Sequence, residues 1–421
     1  MRVRNLSRTL GLGLCILALP HPAKAQADVI YEWNRILLEA VTAPGALPPT
    51  IFFTYPCALT QAAVFDAVNS IDPQYQPWAV RVRAEAGASR EAAAAQAAHD
   101  ILMTFFPARA EQLDAALATS LASIPPDAAR EGARVGAAAA REILELRRFD
   151  GWRRPPPPYV LPDEPGNWQP VLGPAGLTHY PEVVPFIMGS VNMYRVEPPP
   201  ALTSERYAAD FNEVKELGGT TSTRRTEDQA LIARLFAGVG TPTTVPVVWN
   251  NVVRDVSRAR GLSTLDAARA FALVNMVQHD SLIVSLASKY VYGLWRPITA
   301  IRNADRDGNP ATTADPTWNT LIPTPPYPAY PGNMACIGGS GSRMLARLFG
   351  RDDVQFSVSW VQAGGGPGWT RQYNGFRQLG DEAARSRIFG GIHYEFDTLS
   401  SMGVCTDMAD YAFENNLRAL F

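Results

Sequence analysis

In residues 91–106, 109–124 and 126–147, alanine and larger apolar positions recur at the three- and four-residue intervals of a helix, and none of these stretches alternates as a strand does. Helical spacing returns over 226–238, 245–260 and from 265 to about 295. Pro125 or Pro126 is suited to open a helix, and Thr203 with Glu205 beside it is suited to cap the one running toward Leu217. Between these groups, residues 151–200 are rich in proline, glycine and aromatics, with Pro155 to Pro158 and Pro198 to Pro200 in runs, and they read as an extended connector. The expected fold class is all-α: helical bundles in two fused four-helix-bundle-like halves, residues 26–150 and 201–421, joined by 151–200. No short-period repeat is visible.

The first residues change the picture of where the chain works. Arg2, Arg4 and Arg8 precede an apolar run from Leu10 to Leu19 and then Ala23-Lys24-Ala25, the form of a signal peptide over residues 1–25. A secreted or periplasmic protein is expected. No later stretch approaches the roughly 20 apolar residues of a membrane span. Removing the segment leaves 34 basic against 40 acidic residues, a net −6, which argues against nucleic acid as a partner. Cys57, Cys336 and Cys405 then form an odd set, open to one Cys336–Cys405 bridge or to three buried thiols.

The candidate chemistry lies in two basic clusters. Lys289 stands seven residues before Arg296-Pro297, a spacing that returns to one face of a continuous helix. About ninety residues later, Ser386-Arg387 is followed by Gly390-Gly391, which permits a sharp turn, and by His393. Either pair alone also fits a solvated helix face. Together they supply two guanidinium forks, one ammonium and one imidazole, the donors a multiply charged oxyanion requires.

These residues, with the run from Tyr290 through Trp295-Arg296-Pro297 to Arg302, the stretch from Asp305 to Trp318, and Ser386-Arg387 through His393-Tyr394, resemble the vanadium-dependent haloperoxidases. That family is a branch of the type 2 phosphatidic-acid phosphatase superfamily. The resemblance is specific from about Ala267 to Phe413 and looser back to about Asp28. It breaks at the family's second motif, Pro-Ser-Gly-His, where this chain reads Pro331-Gly332-Asn333-Met334. The serine hydroxyl is gone, and the Met334 thioether exchanges no proton near neutral pH. What remains there is a loop entering a helix, whose first amides lack internal partners and bind anions whatever their side chains.

The resemblance implies that His393 ligates the vanadium of vanadate, and that Lys289, Arg296 and Arg387, with Gly332 and Asn333, bind the oxyanion. Vanadate is the implied cofactor, with phosphate as a competing ligand. Peroxide and a halide, or a phosphate ester, are the implied small-molecule partners. Loss of the second-motif histidine implies impaired halide oxidation. The alternatives are a phosphomonoesterase with His393 as nucleophile, and a non-catalytic oxyanion-binding relative. His279, ten residues before Lys289, is a substitute proton donor to examine beside its reading as a core residue. His99 and His179 lack acidic companions at ligand spacing and read as structural. Asp305 to Asn309 reads as a tight turn, not a calcium loop, and 323–331, with five prolines, as an exposed loop delivering the second motif.

Overall fold

A computed structural model describes residues 28–45 and 53–421; the segment read as a signal peptide lies outside them. Five helices come first: α1 (Asp28–Thr42), α2 (Thr54–Ile71), α3 (Arg90–Phe105), α4 (Ala110–Leu121) and α5 (Pro126–Leu146). From there to residue 204 the only helical turns are 3-10 segments at Tyr180–Glu182 and Val191–Tyr194, because prolines and glycines interrupt every run. Eight helices follow: α6 (Glu205–Gly218), α7 (Glu227–Phe236), α8 (Val245–Arg260), α9 (Thr264–Tyr292), α10 (Pro297–Arg302), α11 (Asn333–Phe349), α12 (Phe376–Phe389) and α13 (Glu395–Asn415). The fold is all-α, with one addition. Phe356–Trp360 (β1) and Trp369–Tyr373 (β2) form an antiparallel hairpin, in which Phe356 pairs with Tyr373 and Trp360 with Trp369.

The helix starts follow local chemistry. Pro125 caps α5 with Pro126 in its first turn. For α6 the cap is Ser204, whose hydroxyl accepts from the Tyr207 amide, rather than Thr203 one residue earlier. Thr226 and Gln229 form a reciprocal capping box on α7.

Two helices buried on nearly every side hold the halves together. All residues of α2 except Ile71 are buried. The 29-residue α9 is long and apolar enough to cross a membrane, against the expectation of no such stretch, yet 94% of its apolar window is buried by the protein itself. It packs on α2 along one side and on α11 along another. Each of these helices carries one buried carboxylate that gathers three backbone amides of a distant loop. Asp66 of α2 accepts from Trp78, Ala79 and Val80, and Asp280 of α9 from Phe186, Ile187 and Met188. Burial raises both carboxyls to about 6, while the amides hold them down.

Helix α11, which starts at the second motif, lies between α12 and α13 because glycine lets it approach both. A Cβ on Gly338 would stand 2.7 Å from the Gly380 carbonyl of α12, and one on Gly380 equally close to the Gly338 carbonyl; on Gly339 it would stand 2.7 Å from the Met402 carbonyl of α13. Cys336 and Cys405 are bridged, tying α11 to α13, and Cys57 is a buried free thiol.

One sequence expectation is corrected here. His99 does have acidic companions: its Nδ1 lies 2.8 Å from Asp100 and its Nε2 2.9 Å from Asp114, so it joins α3 to α4. Spacing concealed this because Asp114 arrives from the next helix. Hydrogen bonding to Asp100, then to Asp114, raises the imidazole above its ordinary value in spite of burial.

Two outcomes are expected. Gly338→Ala should destabilise the fold by about 1–3 kcal/mol through overpacking, read as a lower urea midpoint. A folded-state pKa above the unfolded value near 6.5 makes the His99 contribution complete below that value and lost as pH rises through the raised one. His99→Gln should therefore lower the melting temperature in mildly acid buffer and leave it unchanged in alkaline buffer; equal losses in both would refute a charged strut.

Candidate oxyanion site

The site forms where the end of α9, the 323–331 loop, the start of α11 and the α12–α13 junction meet. Lys289 and Arg296 do not share a helix face as their spacing suggested. Gly293 takes a left-handed conformation (φ 58°), its amide closes α9 on the Lys289 carbonyl, and Arg296 follows in extended backbone as the cap of α10. Both side chains are nonetheless wholly buried and reach the same loop.

That loop needs them. Its prolines donate no hydrogen bonds, so its carbonyls must find donors elsewhere. Lys289 Nζ gives its three protons to the carbonyls of Pro328 (2.9 Å), Ala329 (2.6 Å) and Pro331 (2.5 Å), and Arg296 Nε donates to Tyr327 O at 2.8 Å. Burial, then Arg296, pulls the lysine well below its ordinary pKa. Three acceptors around one nitrogen are nevertheless the partners of an ammonium, not an amine. Lys289 thus acts by charge and by shaping the loop, with no proton left for the direct oxyanion contact assigned to it from sequence.

Arg296 is the hub. Its Nη1 lies 2.8 Å from Ile392 O and 3.1 Å from His393 Nε2, while Nη2 is buried with no partner. A guanidinium only donates, so His393 Nε2 must carry a lone pair. The Nδ1 proton then points to Asp397 Oδ2 at 2.8 Å. Asp397 is a site residue that the sequence analysis did not single out. It lies one helical turn beyond the histidine, in the first turn of α13, and also receives the Tyr394 amide at 3.1 Å. The spacing of four was the signal that could have found it.

Electrostatics sharpen this arrangement. Burial, then Arg296, Lys289 and Arg387, holds the His393 imidazole well below its ordinary pKa, so it is neutral. Burial raises Asp397 to about 7 against the pull of Lys289, the Tyr394 amide and Arg296. Arg296 and Arg387 fall to about 10 through burial and stay cationic. Arg387, at the end of α12, bonds Ser386 Oγ at 3.1 Å and reaches Ala233 O at 3.4 Å; Gly391, at φ 82°, turns the chain from it to His393. No carboxylate forms a salt bridge with Lys289, Arg296 or Arg387 among the described residues. Three buried cations therefore face one carboxyl group whose ionisation burial opposes, and burying an uncompensated ion costs several kcal/mol.

At the second motif, the Gly332 amide is engaged by Ser401 Oγ (2.7 Å) and Asp397 O (3.1 Å) and so is not free for the anion contact expected of it. The next amides, opening α11 at Asn333 and Met334, have no partners within the helix. Asn333 accepts from Ser285 Oγ at 2.9 Å, and its amide nitrogen is buried without a hydrogen-bond partner. Asn333, Met334, Arg387 and His393 line a cleft of about 600 Å³ whose other walls are mostly apolar, including Leu177, Phe236, Ile322 and Pro326. His279 is not at its floor. That ring is fully buried, bonded to Thr54 Oγ1 at 3.0 Å and enclosed by Tyr55, Tyr180 and Phe186. The 323–331 loop is part of the cleft wall, with Ala329, Tyr330 and Pro331 buried, and not an exposed segment. Asp307 accepts from the Asn309 amide at 2.8 Å, the tight turn expected there.

Residues 269–420, which carry Lys289, Arg296, Arg387 and His393, match the family described as the VCPO second helical-bundle domain. These residues thus resemble the second helical-bundle domain of the vanadium haloperoxidase family. It is 28% identical to the vanadium chloroperoxidase of Curvularia inaequalis over 44% of its own length, and spans only 38% of that relative. Its fold superposes on a bacterial vanadium-dependent iodoperoxidase with a TM-score of 0.80 and 21% identity, covering 95% of this chain and 99% of the other. The holo form of a bacterial vanadium-dependent chloroperoxidase follows with a TM-score of 0.71 and 16% identity, covering 89% and 94%.

The residues fit a vanadate-sized oxyanion: Arg296 Nη2 is buried without an acceptor, the His393 Nε2 lone pair faces the neighbouring Nη1, and the local charge is positive. Protonating Asp397 adds one net positive charge to the cup, so anion affinity should rise as pH falls through about 7. Asp397→Asn should flatten that dependence when vanadate binding is titrated calorimetrically beside the wild type, which cancels the ligand's own ionisation.

Proposed function

We propose that this protein is an exported vanadate-dependent haloperoxidase in which oxidation is confined to the most easily oxidised halide. The observation that carries this reading is the group of three buried cations around a neutral imidazole, with Arg296 Nη2 left without an acceptor. Arg296 and Arg387 hold the anion by direct donation, and Lys289 holds it by charge through the loop that it fixes. The α11 amides and Asn333 complete the cradle. His393 would offer Nε2 to the vanadium by giving up its contact with Arg296 Nη1, and Asp397 keeps the proton on Nδ1, fixing the tautomer and the ring orientation. Vanadate, when bound, supplies the Lewis acidity that activates peroxide toward halide.

Met334 limits this chemistry, because the family's second-motif histidine exchanges protons and a thioether does not. Iodide gives up electrons more readily than bromide or chloride and asks least of proton transfer. The likeness to an iodoperoxidase structure supports the same choice. The vanadium chloroperoxidase and iodoperoxidase likenesses do not favour phosphomonoester hydrolysis. Export is supported by the basic and apolar start of the sequence and by the Cys336–Cys405 bridge.

Vanadate-loaded protein should oxidise iodide with peroxide, His393→Ala should abolish this, and Met334→His should raise bromide oxidation by about a hundredfold or more. Vanadate binding without oxidation of any halide, alongside release of phosphate from p-nitrophenyl phosphate, would overturn the reading.

A further inference from the structure

Resting on the haloperoxidase reading above, we propose that Met334 is a self-modification site, oxidised to the sulfoxide by the oxidant made at the floor of its own cleft. Met334 is the second residue of α11 and is partly exposed; it lines the cleft together with Asn333, Arg387 and His393. Its thioether is a soft nucleophile, and sulfoxide formation is the first and reversible step of methionine oxidation. Any hypohalous acid leaving His393 and Arg387 meets that sulfur inside a cleft whose other walls are mostly apolar.

The step balances without a further reagent. A sulfur lone pair takes the electrophilic halogen, the oxygen of hypohalous acid or of water ends on sulfur, and halide and a proton leave. Sulfur loses two electrons, and the halogen gains them. The product replaces a side chain without hydrogen-bonding strength by a strong acceptor that shares the cleft with the Arg387 and Asn333 donors. It therefore competes with anions for those donors and makes turnover self-limiting.

The other methionines supply internal controls. Met188, Met276, Met344, Met402 and Met408 are buried, 6% exposed or less, and Met103 is partly exposed like Met334 but is not part of the cleft wall. Met193, on the 3-10 turn at Val191–Tyr194, is 45% exposed and is not part of the cleft wall. An oxidant attacking from bulk solvent favours Met193; one released at the cup favours Met334.

The experiment is peptide mass spectrometry of the full vanadate-loaded protein after a limited number of turnovers with peroxide and iodide, with halide oxidation followed in the same tube. Met334 should carry roughly tenfold more sulfoxide than Met193, a small part of what proximity can yield. Hypoiodite added to vanadate-free protein should reverse the order. Met334→Leu should lose activity more slowly per turnover, whatever its starting rate. Halide oxidation with Met334 still a thioether, or with Met334 and Met193 oxidised in step, overturns the inference and leaves the haloperoxidase reading standing. If no halide is oxidised, both fall, and the halide assay tells the two failures apart.

Discussion

Arg296 is held between a proline-rich loop and an imidazole, and the geometry of the site depends on how its donors are divided. One nitrogen serves Tyr327 O, a second serves Ile392 O and His393 Nε2, and the third has no partner. Because a guanidinium cannot accept, this division fixes the histidine tautomer and leaves a donor for a ligand. Lys289 completes the frame by supplying the protons that the prolines of the loop cannot. Such a group of buried charges is costly unless an anion offsets it, so stability and ligand binding rest on the same atoms.

The rest of the fold positions this frame. The long apolar α9 delivers Lys289 at its end while its middle packs against the first half of the chain. Helix α11 is brought between α12 and α13 by Gly338, Gly339 and Gly380, where a Cβ would meet a facing carbonyl, and the disulfide joins its first turn to α13. Asp397 lies at the start of α13, where one side chain can receive both the His393 proton and the Tyr394 amide. A site spread over more than a hundred residues of sequence thereby becomes a single cup.

Met334 stands apart from this consistency. By resemblance the helix start, the loop and the cations correspond to the family's motifs, while Met334 stands where the family's second motif carries histidine. The cup can be complete for binding an anion and still be restricted in what it does with one. Binding depends on charge and amides, whereas peroxide activation depends on a titrating group.

The sequence determined what is local. Helical periodicity located six of the thirteen helices among the described residues to within a few residues, prolines and glycines marked 151–200 as helix-poor, and the motif resemblance around Lys289, Arg296, Arg387 and His393 marked the candidate site. The β1–β2 hairpin escaped, since two five-residue strands carry little period. Tertiary structure decided what depends on partners far apart in sequence: that Gly293 ends α9 before Arg296, that the Lys289 protons go to carbonyls, that the Gly332 amide is engaged by Ser401, that Asp114 meets His99, and that Cys336 faces Cys405. A residue's type fixes how many hydrogen bonds it can make, but only packing determines which atoms come within about 3 Å of it.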